Sequence, residues 1–263
     1  MASTPNPLGA GGSLPQRLLD LLFPPRCVHC GSSGSLLCAT CAGGIHAPPA
    51  PHCDRCDRPL FAMAGPRCSL CLALLREERP PALERIVVAV EYDGPAGSAI
   101  RALKFRGQRR LAPPLALLLA DAARRAGLAL DVIVPMPLNV GRRRERGYNQ
   151  AELLARPLAR ALGVPLAGRL LTRTRATQPQ TRLSRRDRLV NVAGAFVLAA
   201  PSAAALLAGK RIVLVDDVTT TGATLEAAAD ALLAARPASV CALAVARPTA
   251  LAWGPGADVA LDM

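Results

Sequence analysis

Aromatic side chains are scarce in this 263-residue chain, which has one Trp, two Tyr and four Phe. The shortage argues against an extended platform for stacking successive bases, so any nucleic-acid binding would be chiefly electrostatic and salt-sensitive. Lysine is nearly absent as well: of 32 basic residues only Lys104 and Lys210 are lysines, and the positive charge is almost wholly arginine. No stretch approaches the roughly 18 unbroken apolar residues of a membrane span. Met1 to Pro25 has no basic leader region, and its short apolar piece Leu18–Phe23 is broken by Asp20. It does not read as a secretory signal, so the cytoplasm is the expected compartment. An apolar fraction of 51% with mean hydropathy +0.26 is too high for a disordered chain. At roughly 150 residues per domain, the length suggests one large or two modest domains.

What charge there is lies unevenly. The net charge is +13, yet residues 101–188 hold 20 basic and 5 acidic side chains, against 12 basic and 14 acidic in the rest. Such a concentration predicts a polyanionic partner, either nucleic acid or a phosphorylated small molecule. Arg124, Arg125 and Arg160 are better read as solvated helix faces. An Arg-, Ala- and Leu-heavy composition can reflect genome base composition as easily as selection for function, so the bulk charge weighs less than its distribution.

Eight of the nine cysteines fall between residues 27 and 71 as four C-x-x-C pairs, Cys27/Cys30, Cys38/Cys41, Cys53/Cys56 and Cys68/Cys71. That spacing lets two thiolates at a tight turn meet one metal, and a tetrahedral zinc needs two such pairs. Eight ligands imply two zinc ions. Sequential pairing, with residues 42–52 as a connector, is favoured over an interleaved arrangement. Disulfides would need an oxidising compartment, and four redox pairs in so short a span are improbable. So small a segment with few large apolar groups cannot bury enough surface alone, so metal binding is expected to be inseparable from its folding. His29, His46 and His52 read as spectators, and Cys241, within the apolar run Val240–Val245, as a buried inert thiol.

After Pro80-Pro81 the pattern alternates between strand and helix, as expected for an α/β domain with a parallel sheet. Strands are expected at Arg85–Tyr92, Asp131–Pro135, Arg211–Val215 and Val240–Ala246. Helices are expected at Ala96–Phe105, Leu115–Ala126 and Ala223–Ala235, and Glu145–Leu162 has helical spacing throughout. Leu170–Arg173 and Val192–Leu198 look extended, flanking a segment without periodicity.

The segment Ile212 to Thr224 carries most of the chemistry. It reads as a buried strand ending in Asp216 and Asp217, a turn through Thr219, Thr220, Thr221 and Gly222, and a helix opening at Ala223 and Thr224. Ligands of open α/β sheets bind at the carboxyl ends of strands. Backbone N–H groups and hydroxyls at a helix N-terminus suit a phosphate monoester, while the carboxylates suit sugar hydroxyls or a hydrated Mg²⁺. The combination fits a ribose 5-phosphate. Each half alone has a bland reading, as a turn residue or ordinary helix caps.

These residues resemble the phosphoribosyl pyrophosphate (PRPP) motif of type I phosphoribosyltransferases, with Thr219 where an aliphatic is commonest. The four C-x-x-C pairs ahead of it narrow the resemblance to the ComF family. Further segments are similar to that family: Tyr92-Asp93-Gly94-Pro95, Ile100–Gly107, Val134-Pro135-Met136-Pro137-Leu138, Arg146-Gly147-Tyr148-Asn149-Gln150 and Gly194-Ala195-Phe196. The likeness spans residues 24–250.

The resemblance implies an N-terminal extension (1–24), a double zinc ribbon with four cysteines to each metal (25–75), a phosphoribosyltransferase-like domain with a Rossmann-like parallel sheet (82–250) and a tail (251–263). It implies that Asp216 and Asp217 meet the ribose and Mg²⁺, and that Thr219, Thr220, Thr221, Gly222, Ala223 and Thr224 hold the 5′-phosphate. The loop Pro137 to Arg146 would bind pyrophosphate through Arg142, Arg143, Arg144 and Arg146, with Asn149 and Gln150 as donors in the first turn of the next helix. A lid between Thr172 and Asn191 would close with Gln178, Arg182, Arg185, Arg186 and Arg188. Two functions are compatible with this: a phosphoribosyltransferase using Mg²⁺ and PRPP on an acceptor the sequence does not identify, or a DNA-uptake protein that keeps the fold and engages single-stranded DNA or uptake proteins. PRPP as a purely regulatory ligand is a weaker third.

Overall fold

In a computed structural model, which describes residues 23–60, 65–76, 80–174 and 194–248, the paired cysteines gather into two groups. Cys27, Cys30, Cys38 and Cys41 form the first, and Cys53, Cys56, Cys68 and Cys71 the second; within each, the Sγ atoms lie within 4.8 Å of one another. The pairing is sequential. Both groups are built alike. The leading pair sits on a tight turn, closed by the N–H of Gly31 to the carbonyl of Cys27 and of Asp57 to that of Cys53, each at 2.9 Å. The trailing pair opens a short helix, α1 (Ala39–Gly43) after Cys38 and α2 (Ser69–Leu74) after Cys68.

From β1 (Arg85–Glu91) the chain passes through α3 (Gly94–Phe105), a 3-10 turn (Arg109–Leu111) and α4 (Ala112–Arg125) to β2 (Val132–Pro135). Next come α5 (Val140–Arg146), α6 (Gln150–Leu162), β3 (Leu171–Arg173), β4 (Phe196–Leu198) and α7 (Pro201–Leu207). β5 (Arg211–Val218), α8 (Ala223–Leu233) and β6 (Ser239–Arg247) complete the described chain. The main sheet is parallel throughout in the order β1-β6-β5-β2, and β3 and β4 pair antiparallel apart from it. Residues Val240 to Arg247 of β6 are all buried, as a central strand covered on both faces requires. No described helix is long and apolar enough to cross a membrane.

Alternation along the strands divides the interior. Val87, Ala89, Val213, Val215 and Leu243 face a core shared with α3, α4 and α6; Ile86, Val88, Ile212, Leu214 and Ala242 face one shared with α7, α8 and the β3–β4 pair. The two cysteine groups straddle the sheet. Cys27, Leu37 and Cys41 join the first core, and Cys53, Cys56, Cys68 and Cys71 the second. β1 is an outer strand, and its unpaired edge is covered by this N-terminal region. The N–H of Ile86 donates to Arg55 O at 2.7 Å, that of Val88 to Asp57 Oδ2 at 2.9 Å, and that of Glu91 to His46 O at 3.0 Å. A bare edge would offer those donors to another chain.

Several elements depart from expectation. The helical spacing of Glu145–Leu162 covers two helices, because Gly147 takes φ +74° and ends α5. β5 runs three residues past Val215 and stays paired to β6 through Val218↔Ala246, so both aspartates lie inside the strand. α3 and α4 start earlier than their apolar pattern suggests, because Pro95 and Pro113 fit the first helical turn, where no N–H is needed. The short helices α1, α2, α5 and α7 were not anticipated, being too brief to show a period.

Candidate functional site

Successive side chains of a strand point to opposite faces, and the two aspartates of β5 accordingly meet different partners. Asp217 is buried. Its Oδ1 lies 3.2 Å from Lys104 Nζ, and its Oδ2 accepts from Gln150 Nε2 at 3.3 Å. Lys104 comes from the last turn of α3 and Gln150 from the first residue of α6. Asp216 is partly buried, and its Oδ1 accepts from the Asp217 N–H at 2.8 Å. Burial first, and the neighbouring Asp217 carboxylate second, push Asp216 up to about 7 although Lys104 opposes the rise. An acid so raised favours a cation or a donor hydroxyl beside it. Lys104 was not singled out from the sequence as a site residue; its rarity, as one of two lysines, was the available signal.

The turn after β5 is held tightly. The Thr219 N–H donates to Ala246 O at 3.0 Å, while its buried Oγ1 has no hydrogen-bond partner among the described residues; nor has Gln150 Oε1. Thr221 Oγ1 accepts from the Ala223 N–H at 3.4 Å, and the Glu226 N–H donates to Gly222 O at 2.8 Å, opening α8. Gly222 has φ +84°, a backbone conformation that favours glycine, and a Cβ there would lie 2.6 Å from Ile86 Cδ1, so that side-chain end would have to shift. Ala223 and Thr224 form the first turn of α8, whose leading N–H groups have no partner within the helix. Along one strand-turn-helix unit at the carboxyl end of β5 lie Asp216 and Asp217 on its two faces, the unsatisfied Gln150 Oε1 beside Asp217, Thr219 Oγ1 and the N-terminus of α8, groups that fit a phosphorylated sugar with its metal.

The arginine cluster is less focused than its sequence suggests. It forms α5, capped by Asn139 Oδ1 accepting from the Gly141 N–H at 2.9 Å. Arg143 lies 3.9 Å from Glu152, Arg146 stacks on Phe105 at 4.8 Å, Arg144 is exposed and Arg142 is half-buried. Asn149 is not in the first turn of the next helix but is its cap: Oδ1 accepts from the Ala151 N–H at 3.1 Å and Nδ2 donates to Met136 O at 2.9 Å. One of its two amide donors is thereby engaged. Tyr148 precedes the helix, donates its hydroxyl to Leu103 O and carries Arg109 over its ring at 4.5 Å. Gln178, Arg182, Arg185, Arg186 and Arg188 lie outside the described residues. Arg124, Arg125 and Arg160 are exposed helix residues, and Cys241 is buried, as expected.

Each cysteine group fits a tetrahedral thiolate site. Burial pushes the Cys27 thiol up, but backbone N–H groups of Cys38, Cys30 and His29 outweigh it and hold it at about 6. The second group is wholly buried, whereas Cys30 of the first is exposed. Two buried arginines stand against the second: Arg55 Nη1 donates to Cys71 Sγ at 3.9 Å, and Arg247 Nη1 donates to Cys56 O. None of the histidines joins either group; His29 Nδ1 is 3.1 Å from Ser98 Oγ and His52 is 3.7 Å from Asp57.

A double zinc ribbon domain matches residues 18–74, and a phosphoribosyl transferase domain matches residues 149–252. The chain is 35% identical over 212 residues to Competence protein F of Haemophilus influenzae, covering 77% of this chain and 88% of that protein. The chain belongs to the ComF family. Among other ComF relatives, DNA utilization protein YhgH of Salmonella typhimurium is 37% identical over 202 residues, covering 75% of this chain and 84% of that protein. Competence protein ComFC of Bacillus subtilis is 41% identical over 102 residues, covering 39% of this chain and 38% of that protein. In this ComF chain the transferase match takes in Gln150, Asp216, Asp217 and the Thr219–Gly222 turn but not Lys104, which reaches the same site from α3. The architecture is a phosphoribosyltransferase-type parallel α/β sheet with an N-terminal double zinc ribbon.

Proposed function

We propose that this protein binds PRPP with Mg²⁺ at the carboxyl edge of β5 and β2 and acts in the uptake and handling of DNA. The observation that carries the reading is the continuity of Asp216, Asp217, the glycine-pinned turn and the α8 N-terminus on one strand-turn-helix unit. In this reading the Thr219–Thr224 backbone and hydroxyls hold the 5′-phosphate. Asp216 and Asp217 meet the ribose hydroxyls and the metal, which when bound supplies charge neutralisation of the pyrophosphate. Lys104 and Gln150 hold the Asp217 carboxylate in a fixed orientation, which leaves Asp216 to respond to the ligand. In the same reading Arg142, Arg143, Arg144 and Arg146 line the pyrophosphate side. A pentosyl transfer here forms a bond from the acceptor's nucleophile to the ribose C1 and breaks the bond from C1 to pyrophosphate, which leaves with the electron pair. The DNA role draws on the names of the relatives and on the basic span 101–188. Calorimetric titration of the zinc-loaded protein with PRPP, with and without Mg²⁺ and beside ribose 5-phosphate, tests the site. Mg²⁺-dependent binding of PRPP tighter than the control is expected; no binding removes the reading.

A second reading, a non-enzymatic protein that binds single-stranded DNA, is favoured by the cation–aromatic pairs Arg146 on Phe105 and Arg109 on Tyr148. Phe105 is 46% exposed beside them. Affinity for an oligonucleotide that falls steeply with salt, with no response to PRPP, would support it.

A further inference from the structure

One buried side chain joins the second cysteine group to the turn after β5. Arg55 lies between the ligands Cys53 and Cys56 and is only 6% exposed. Its Nη1 donates to Cys71 Sγ at 3.9 Å, and its Nη2 donates to Glu226 Oε2 at 3.0 Å and Leu83 O at 2.9 Å. Glu226 belongs to the first turn of α8, where its N–H donates to Gly222 O and its Oε1 accepts from the Leu83 N–H at 3.2 Å. A second connection runs alongside. The Ile86 N–H donates to Arg55 O at 2.7 Å, and Ile86 Cδ1 occupies the space that a side chain on residue 222 would need.

Each link has an electrostatic or steric sign. Zinc held by four thiolates is a net anion, and the Arg55 guanidinium compensates both that anion and the Glu226 carboxylate. Without Arg55, Glu226 stands uncompensated in the helical turn where an anionic ligand would sit, and repels it. Loss of the metal would free the Cys53–Cys56 turn that carries the Arg55 carbonyl, loosening Ile86 against Gly222. The first cysteine group packs in the opposite core, against α3 and α4, and shares none of these contacts.

We infer that Arg55 is a positioning residue that couples zinc at Cys53, Cys56, Cys68 and Cys71 to anion binding at the Thr219–Gly222 turn, an inference that rests on reading that turn as phosphate-binding. Coupling between sites is reciprocal. Ligand at the turn tightens the second zinc and leaves the first untouched, and withdrawal of the second zinc weakens the ligand.

The test uses the full zinc-loaded chain. A chelator is titrated to equilibrium with and without saturating ribose 5-phosphate, and cysteine alkylation mapped by peptide mass spectrometry reports the opening of each group separately. Calorimetry on the same sample reports whether ribose 5-phosphate binds. The ligand is expected to raise the chelator concentration that opens the second group by about five-fold or more, a typical coupling between linked sites, with the first group unmoved. Arg55→Met removes the shift and Arg55→Lys restores part of it. Glu226→Gln, which keeps the shape and an acceptor for Arg55, reduces the shift and guards against a misfolded Arg55→Met. Binding without a shift in the second group, or an equal shift in both groups, overturns this inference alone. Absence of binding overturns the phosphate-site reading and this inference with it.

Discussion

Lys104, in the last turn of α3, places its ammonium 3.2 Å from the Asp217 carboxylate of β5, with side chains 14% and 7% exposed. The pair ties one helical layer to the strand that carries the candidate site. Removing one partner of a buried pair leaves the other charged and unpaired, which costs about 3–5 kcal/mol. Lys104→Met is therefore expected to lower stability in urea by an amount near that range. Lys104→Met with Asp217→Asn is expected to lose less than the sum of the single changes. Additive losses would show that the pair is not coupled.

Asp216 is the cleaner probe of ligand binding, because Asp217→Asn alone strands Lys104. An acid raised from near 4 to about 7 is protonated preferentially in the folded state. Its stabilising effect is complete below the unfolded value and is lost as pH rises through about 7. Asp216→Asn cannot ionise, so it should match wild type at pH 4 and exceed it in stability at pH 8. The same variant should lose Mg²⁺-dependent PRPP binding while keeping its zinc. Wild-type affinity for PRPP with Mg²⁺ should rise with pH up to about 7. Urea titrations and calorimetry at the two pH values check both halves.

At Gly222 two demands can be separated. Ile86→Val deletes Cδ1, the atom that a Cβ at residue 222 would strike at 2.6 Å, but leaves φ +84° unchanged. Gly222→Ala should destabilise by about 1–3 kcal/mol, and less when made in an Ile86→Val background. Thermal melts of the four proteins measure the difference, and an equal loss in both backgrounds would assign the whole effect to the backbone.

Chelation should loosen the sheet as well as the ribbon. A zinc unit whose folding is inseparable from its metal would come apart before the α/β domain if it stood apart from that domain. However, Cys27 and Cys41 share one core with β1, and Cys53, Cys56, Cys68 and Cys71 share the other. Each cysteine group is expected to open on its own chelator curve, and each opening to cost part of the helical circular dichroism, because each group packs against a different face of the sheet. Retention of helix after all eight react would show that the sheet stands alone.

What the sequence revealed, and what it hid, follows from the range of the interactions. The cysteine pairing and the strand-turn-helix unit at residues 212–224 are local patterns, and both appear in the structure where spacing placed them. Lys104 and Asp217 are distant in sequence, and nothing in either segment announces the other. The break at Gly147 was masked because the apolar positions of Glu145–Leu162 keep a helical period across it. The arginines of α5 read as a single anion cluster, yet Arg143 and Arg146 turn to Glu152 and Phe105, partners supplied by other elements. Asn149 caps α6 through Oδ1 and also reaches Met136 O through Nδ2, a contact with the segment after β2 that its own segment does not announce.

The covering of β1 also bears on the order in which the protein is made. β1 pairs with β6, the last strand of the described chain, so on a ribosome it waits for nearly all of the α/β domain before its sheet neighbour exists. The residues that satisfy its other edge, His46, Arg55 and Asp57, emerge before it. A ribbon that has already captured its metal can therefore shelter a lone apolar strand from neighbouring nascent chains during the interval when exposed edges are most dangerous.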